Sequence, residues 1–241
     1  MKHTRIDMLK YISQELQFTK PFATTSEVDW QFDQTGTGVK VTWGMAGHMP
    51  FFFRFMAKKM PAIIGMDYDR GLKMLKDYCE TGVVLSKIEI VGVVDAPSIT
   101  FVGKDVSCKM SETETSMKQE LGALMVFAIQ NQLKPNVMLS VYRTTDFTGN
   151  QCDYSPGMLI PASETIKANG YEKRTIPASK AIKIIFKGDY KFLPNGWAAA
   201  YTCARAKKLK PVNLPYELYI NNPQETMNPA DWVTEIYVPV K

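Results

Sequence analysis

The period of the apolar positions changes along the chain, and the changes mark its elements. Between residues 11 and 45 apolar and polar positions alternate. Ile12, Leu16 and Phe18 mark a strand over 11–18, and Val28, Trp30 and Phe32 share one face of a strand over 28–32. Alternation of this kind is the signature of a half-buried strand. Thr35-Gly36-Thr37-Gly38 follows, a turn whose glycines are free to take positive φ. Val39, Val41 and Trp43 then resume the alternation, so the region predicts an antiparallel meander with aromatic cross-strand partners. Residues 50–59 are a short apolar stretch of partly helical pattern. Over 67–81 the period is helical: Leu72, Met74, Leu75 and Tyr78 fall at three- and four-residue spacings, and Gly82 supplies the stop.

After Gly82 the pattern predicts strands over 88–94 and 99–102, broken by Asp95-Ala96-Pro97. A long helix is expected over 111–133. Ser111-Glu112-Thr113-Glu114 offers it a capping box, and Leu121, Met125, Ala128 and Ile129 an apolar stripe. Strands over 137–143 and 157–160 follow. The order then recurs, with a strand over 181–186, a helix over 197–208, and strands over 216–220 and 232–238.

The recurrence extends to residues. Leu133-Lys134-Pro135 closes the first helix and Leu209-Lys210-Pro211 the second. Each is followed by a strand carrying a tyrosine, Tyr142 and Tyr219. Asp153-Tyr154, ending in Met158-Leu159-Ile160-Pro161, answers Asp231-Trp232, ending in Ile236-Tyr237-Val238-Pro239. Phe101-Val102-Gly103 is paired with Phe186-Lys187-Gly188. Matches in this order predict two copies of a β-α-β-β unit in an α+β domain over 84–241, preceded by a segment over 1–83. Two copies would pair into one pseudo-symmetric body with a cleft at their junction, a common place for ligand pockets.

Composition narrows the chemistry. The chain has 241 residues, is 45% hydrophobic and carries a net charge of +5. Lys207, Lys208 and Lys210 are the densest basic group, and at a helix end they complement its dipole. A nucleic-acid footprint would be a larger continuous patch, so no direct nucleic-acid partner is expected. Cys79, Cys108, Cys152 and Cys203 lack C-x-x-C spacing and no signal peptide is visible. They read as reduced thiols of a cytoplasmic chain. No apolar run reaches the ~18 residues of a membrane span. The two histidines, His3 and His48, lie in the first segment, which argues against a histidine metal site or a Ser-His-Asp triad in the second. No phosphate-binding glycine loop is present, and no cofactor is expected.

The candidate chemistry sits on the strand over 216–220. Pro215, Glu217 and Tyr219 share one face, Tyr216 and Leu218 the other. A carboxylate between tyrosines on a core strand is costly if buried and unpaired. Its pKa would rise, a bound cation would reverse that, and aromatic neighbours would add cation–π attraction. Tyr142, at the matching repeat position, is expected to face Tyr219 across the junction. Tyr190, Trp197, Trp232 and the adaptable Met138 complete the candidate ligand-binding set.

The second segment resembles the GyrI-like family, the effector-binding domains related to the DNA gyrase inhibitor and to the ligand domains of multidrug-sensing transcription factors. Gly188-Asp189-Tyr190, Pro215-Tyr216-Glu217-Leu218-Tyr219 and Asp231-Trp232-Val233-Thr234-Glu235-Ile236-Tyr237-Val238-Pro239 carry the resemblance. It implies the SHS2-type duplicated fold. It also implies that Glu217, at the E-x-Y glutamate, lies in an aromatic-lined pocket for cationic, lipophilic ligands. No helix-turn-helix is visible, so the expectation is a sensor or regulator without its own DNA-binding region. Other family members act as hydrolases on strained cyclopropane compounds through acidic and tyrosine side chains, or as protein-interaction modules, and both remain as alternatives. The first segment resembles the C-terminal half of a START-like (SRPBCC) domain, through Gly38-Val39-Lys40-Val41-Thr42-Trp43-Gly44-Met45 and the run from Met66 to Lys76. Earlier strands of that domain are missing, as expected either of a truncated form or of a half-domain that packs on something else. Relatives of this two-domain arrangement often carry a membrane anchor. The open sheet edge is expected to be covered by a second chain, as a homodimer, or by the other domain.

Overall fold

A computed structural model describes the chain except for residues 20–22, 49–50, 52–59, 135, 147–148, 165, 167–169, 213, 222 and 224–225, and, in the helix that follows, the side chains of 61–63. The expected stretch over 50–59 lies outside the described residues apart from Phe51. The chain divides into two compact units, Met1–Gly82 and Val83–Lys241. Among the described residues no helix is long and apolar enough to cross a membrane.

The first unit is an antiparallel sheet in the order β1 (Lys2–Asp7), β2 (Tyr11–Phe18), β3 (Thr24–Thr35), β4 (Gly38–Gly47), followed by helix α1 (Met60–Thr81). Strand β1 was not anticipated. Every one of its residues is exposed, so it has no buried face to imprint an alternation. The helix begins earlier than its period suggests, with Pro61 in its first turn, where a missing N–H costs nothing. Trp30 stacks on Trp43 at 4.4 Å and Trp43 on Tyr68 at 3.9 Å, which seats α1 on the sheet. Gly82 closes α1 in the left-handed region, φ 74°. Gly36 is not among the positive-φ residues; the Thr35 hydroxyl closes that turn by donating to Gly38 O at 2.9 Å.

In the second unit the strands are β5 (Ser86–Ala96), β6 (Ile99–Gly103), β7 (Val106–Cys108), β8 (Met138–Asp146), β9 (Gln151–Leu159), β10 (Glu172–Ile176), β11 (Ser179–Gly188), β12 (Tyr216–Tyr219) and β13 (Val233–Pro239). The helices are α2 (Thr113–Gln130) and α3 (Leu193–Ala206), each entered through a 3-10 turn. The sheet runs β10-β6-β9-β8-β12-β13-β11-β5, with β7 paired to β9. That order is two mirrored halves: β6-β9-β8 from the first repeat meets β12-β13-β11 from the second, and every pairing is antiparallel. The duplication is therefore real, and it has a feature the sequence did not reveal. Strand β5 precedes the first repeat but pairs with β11 of the second, and β10 precedes the second but pairs with β6 of the first.

This exchange forces curvature. β5 and β6 lie towards opposite ends of the sheet, yet only residues 97 and 98 separate them; 177 and 178 likewise separate β10 from β11. Pro97 and Pro177 occupy the two corners. So short a link is possible only if the sheet curls until its ends meet. Ser98 Oγ, at one corner, donates to Ile176 O beside the other corner at 3.0 Å. Ala96, Phe101, Leu139, Val141, Ile176, Ala181, Tyr216 and Tyr237 fill the inside of the curl. The helices cover the outside, α2 through Leu124, Phe127 and Ala128 and α3 against Phe186 and Ile236 at Gly196.

Backbone bonds fix which positions correspond. Ile160 donates to Thr100 as Val240 does to Lys180, and Leu133 to Ala128 as Leu209 to Ala204. Gln132 and Lys208 both take φ 56° where the helices end. Under this correspondence Tyr142 matches Tyr219. The pairing of Phe101 with Phe186 fails: Phe101 points into the curl, whereas Phe186 lies under α3. The capping box also fails. Ser111 lies in the 3-10 turn and no side chain caps α2; Thr113 Oγ1 donates instead to Lys109 O at 3.3 Å. Ile129 is exposed and Leu124 takes its place, because α2 is apolar around most of its circumference and its period was ambiguous.

Candidate functional site

At the centre of the sheet β8 and β12 pair antiparallel, with Glu217 opposite Ser140 and Tyr219 opposite Met138. Pleating sends Tyr216 and Leu218 into the curl and Glu217 and Tyr219 to the helix-bearing side. Ser140 and Glu217 are each other's register partners and also matched positions of the two repeats. The pseudo-twofold axis therefore passes between them.

Glu217 is 1% exposed. Tyr219 donates its hydroxyl to Oε2 at 2.6 Å, Tyr142 donates to Oε1 at 3.1 Å, and the Trp197 indole N–H from α3 also donates to Oε1. Ser140 Oγ lies 3.0 Å from the Tyr219 hydroxyl, and Met117 Sδ of α2 is also 3.0 Å from it. Counted from the 3-10 turns that open the two helices, Met110–Glu112 and Tyr190–Phe192, Met117 and Trp197 fall at the same position, so both helices contribute to the axial cluster. The rings interlock. Tyr142 meets Trp197 edge-on at 5.2 Å, Trp197 stacks on Tyr201 at 6.2 Å, and Tyr190 meets Tyr219 edge-on at 5.8 Å. Thr234, opposite Tyr219 on β13, has a fully buried hydroxyl with no partner among the described residues.

Burial pushes the Glu217 carboxyl up, and the hydrogen bonds from Tyr219, Trp197 and Tyr142 pull it back part of the way. Burial, then the neighbouring carboxylate, lifts Tyr142 and Tyr219 well above the usual phenol range. Burial raises Tyr190 to about 12. All three therefore stay protonated as donors near neutral pH. Each of the partners named for Glu217 is neutral, so none of them would cancel the charge of the ionised carboxylate.

Five of the candidate residues thus come together: Glu217, Tyr219, Tyr142 and Trp197 directly, Tyr190 through Tyr219. Two stand further off. Trp232 packs on Tyr190 at 4.8 Å and anchors its indole N–H on Thr226 O at 2.6 Å. Met138 lies opposite Tyr219 but packs on the α2 cluster. Sequence reasoning missed Ser140, Met117 and Thr234. Ser140 had a signal, as a small polar residue in the apolar run Met138-Leu139-Ser140-Val141; the other two had none. The carboxylate itself is shielded from solvent. Neither of the cavities described, of about 350 and 470 Å³, is lined by Glu217, whose oxygens are taken by the Trp197 indole and the two tyrosine hydroxyls. Among the described residues no cluster of His, Cys, Asp and Glu could hold a metal ion.

A family model described as a GyrI-like small molecule binding domain matches residues 91–241. Among solved structures, EcmrR in a cryo-EM structure of its DNA complex is 17% identical, with a TM-score of 0.52 over 78% of this chain and 69% of its own. A crystal structure of the EcmrR C-terminal domain is 18% identical, with a TM-score of 0.50 over 66% of this chain and 99% of that domain. SAV2435 bound to tetraphenylphosphonium is 14% identical, with a TM-score of 0.47 over 64% and 94%. No curated protein matches by sequence.

Proposed function

The chain belongs to the GyrI-like family of small-molecule-binding domains through residues 91–241, and from that premise we propose that it binds a lipophilic cation at Glu217. One observation carries this reading: a carboxylate buried on the pseudo-twofold axis, ringed by aromatics, whose named partners are all neutral. An ionised carboxylate in such a place is stabilised by hydrogen bonds but keeps an uncancelled charge. A cation with apolar surroundings restores the balance, and the Tyr and Trp faces add cation–π attraction of about 0.5–2 kcal/mol each. Strongly hydrated inorganic cations gain less, because the walls offer few oxygens to replace their water.

Entry requires a ring to move. Trp197 and Tyr190 are half-buried, whereas Tyr219 is clamped by Ser140 and Met117. We assign the gate to Trp197: its outward swing removes the indole donor from Oε1, leaving Tyr142 as that oxygen's donor. Tyr142, Tyr219 and Tyr190 then form the walls, Thr234 supplies a spare hydroxyl, and Trp232 and Met138 back them. A domain of this kind acts as a sensor or regulator, its occupancy set by the ligand and read by another molecule.

Tetraphenylphosphonium and tetraphenylborate share a shape and differ in the sign of their charge. Tryptophan emission is expected to change with the cation at micromolar concentration and with the borate only at far higher concentration, and the phosphonium is expected back intact by mass spectrometry. Equal response to both ions would contradict recognition by charge.

A further inference from the structure

We propose that the concave face of the curled sheet holds a second site, for a small organic carboxylate with an apolar body. The cavity of about 350 Å³ lies there, on the opposite side of β8 from Glu217. Its floor is apolar, with Phe101, Val141 and Ile176, and its polar wall is Arg143, Arg174 and Ser155. Alternation along β8 separates the two sites: Ser140 and Tyr142 face the helices, Val141 and Arg143 the curl.

The two guanidiniums converge. Both Nη1 atoms donate to Asp105 Oδ1 and to Ser155 Oγ, and Ser155 in turn donates to Asp105 Oδ1 at 2.8 Å. Two cations thus share one carboxylate oxygen, and Asp105 does not line the cavity. Two further acids stand nearby: Glu172 meets Arg174 at 3.0 Å with a side chain 67% exposed, and the Asp153 carboxyl is held down by Gln151 and in part by Arg143, but neither lines the cavity. The cavity therefore presents cationic donors above an apolar floor. An arginine offers five N–H groups in a planar fork, which suits a carboxylate better than a spherical ion. The apolar floor selects an anion that carries hydrocarbon.

The other half of the duplicated sheet does without these arginines. Under the correspondence of the repeats, Arg174 of β10 matches Val94 of β5, and Ile220 follows Tyr219 as Arg143 follows Tyr142. Ser155 matches Glu235, which pairs with Lys183 at 2.7 Å and accepts from the Tyr237 hydroxyl at 2.8 Å, a balanced set. One half of the sheet carries apolar residues where the other half carries two guanidiniums, so the repeat itself does not call for these charges.

Calorimetric titration of the full chain with octanoate, 1-octanol and acetate tests this. Octanoate is expected to bind once per chain. Octanol lacks the charge and acetate the chain, so each should bind at least about tenfold more weakly. Arg174→Gln should weaken octanoate by about tenfold or more, with Arg174→Lys in between because the fork is lost but not the charge. Glu217→Gln should leave octanoate unchanged, which keeps this site distinct from the first. Thermal unfolding checks that the variants are folded, and the comparison of the three ligands on the unaltered protein stands if they are not. Absence of octanoate binding, equal binding of octanol, or sensitivity to Glu217→Gln with indifference to Arg174→Gln would each overturn the proposal.

Discussion

Tyr142 and Tyr219, at matched positions of the two repeats, hold opposite oxygens of one carboxylate: the Tyr142 hydroxyl donates to Glu217 Oε1 at 3.1 Å and the Tyr219 hydroxyl to Oε2 at 2.6 Å. The symmetry stops at the axis. Glu217 comes from the second repeat, and its counterpart in the first is Ser140, which sits 3.0 Å from the Tyr219 hydroxyl. A duplicated scaffold thus supplies two equivalent donors for a single charge.

Removing that charge should stabilise the fold. In Glu217→Gln the amide oxygen can still accept from Trp197 and Tyr142, and the amide nitrogen can donate to the Tyr219 oxygen. The cost of burying an uncancelled charge is gone. Urea unfolding at neutral pH is expected to show the variant more stable by about 1 kcal/mol. A variant less stable than the parent would show that the ionised carboxylate holds the fold together.

The sign of the pH dependence follows from the raised Glu217 carboxyl. A raised folded pKa means that the folded state keeps a proton the unfolded chain has released. The stability this group contributes is therefore complete below the ordinary carboxylate value of 4.5 and is lost as pH rises through the raised folded value. Measured against Glu217→Gln, the parent should lose stability from about pH 4 upwards until the folded-state carboxyl is fully ionised. A difference that does not vary with pH would contradict this. Affinity for a cation should run the other way and rise with pH over the same window, because ionisation creates the partner.

The tyrosines are not equivalent energetically. Tyr219 makes the shorter bond and also contacts Ser140, with both groups buried. Tyr219→Phe should cost about 1–3 kcal/mol of stability and Tyr142→Phe about 1 kcal/mol or less. Denaturant midpoints with unchanged slopes would provide the comparison, and the reverse order would show that Tyr142 is the principal donor.

Gly188 is a backbone requirement at the edge of the site, two residues before Tyr190. Its φ is 142°, and a Cβ there would stand 2.0 Å from Leu85 O. Gly188→Ala should cost about 3 kcal/mol or more and displace Tyr190. An alanine variant that melts with the parent would place the Leu85 carbonyl elsewhere.

The repeat and the face of Glu217 and Tyr219 were legible in the sequence because pleating and duplication both leave regular marks. Gly82 was legible for the same kind of reason, as a stop after a clear period. The exchange of β5 and β10 was not. It depends on which edge a strand joins, and Glu172–Ile176 carries too few buried positions to declare itself. Pairing Phe101 with Phe186 shows the hazard of matching letters alone, since the two rings lie on opposite sides of the sheet. The shielding of the carboxylate was also hidden. Alternation places Trp197 near the axis only once α3 is docked, and no local pattern says that its indole N–H will reach Oε1.

Calorimetric titration of tetraphenylphosphonium into the parent protein and into Glu217→Gln tests the central claim most directly. The two proteins have nearly the same shape at the site, and only one carries the charge. The expected result is binding to the parent and a loss of about 1–3 kcal/mol in the variant, despite the variant's greater stability. Equal affinity of the two proteins for the cation would contradict the role given to Glu217.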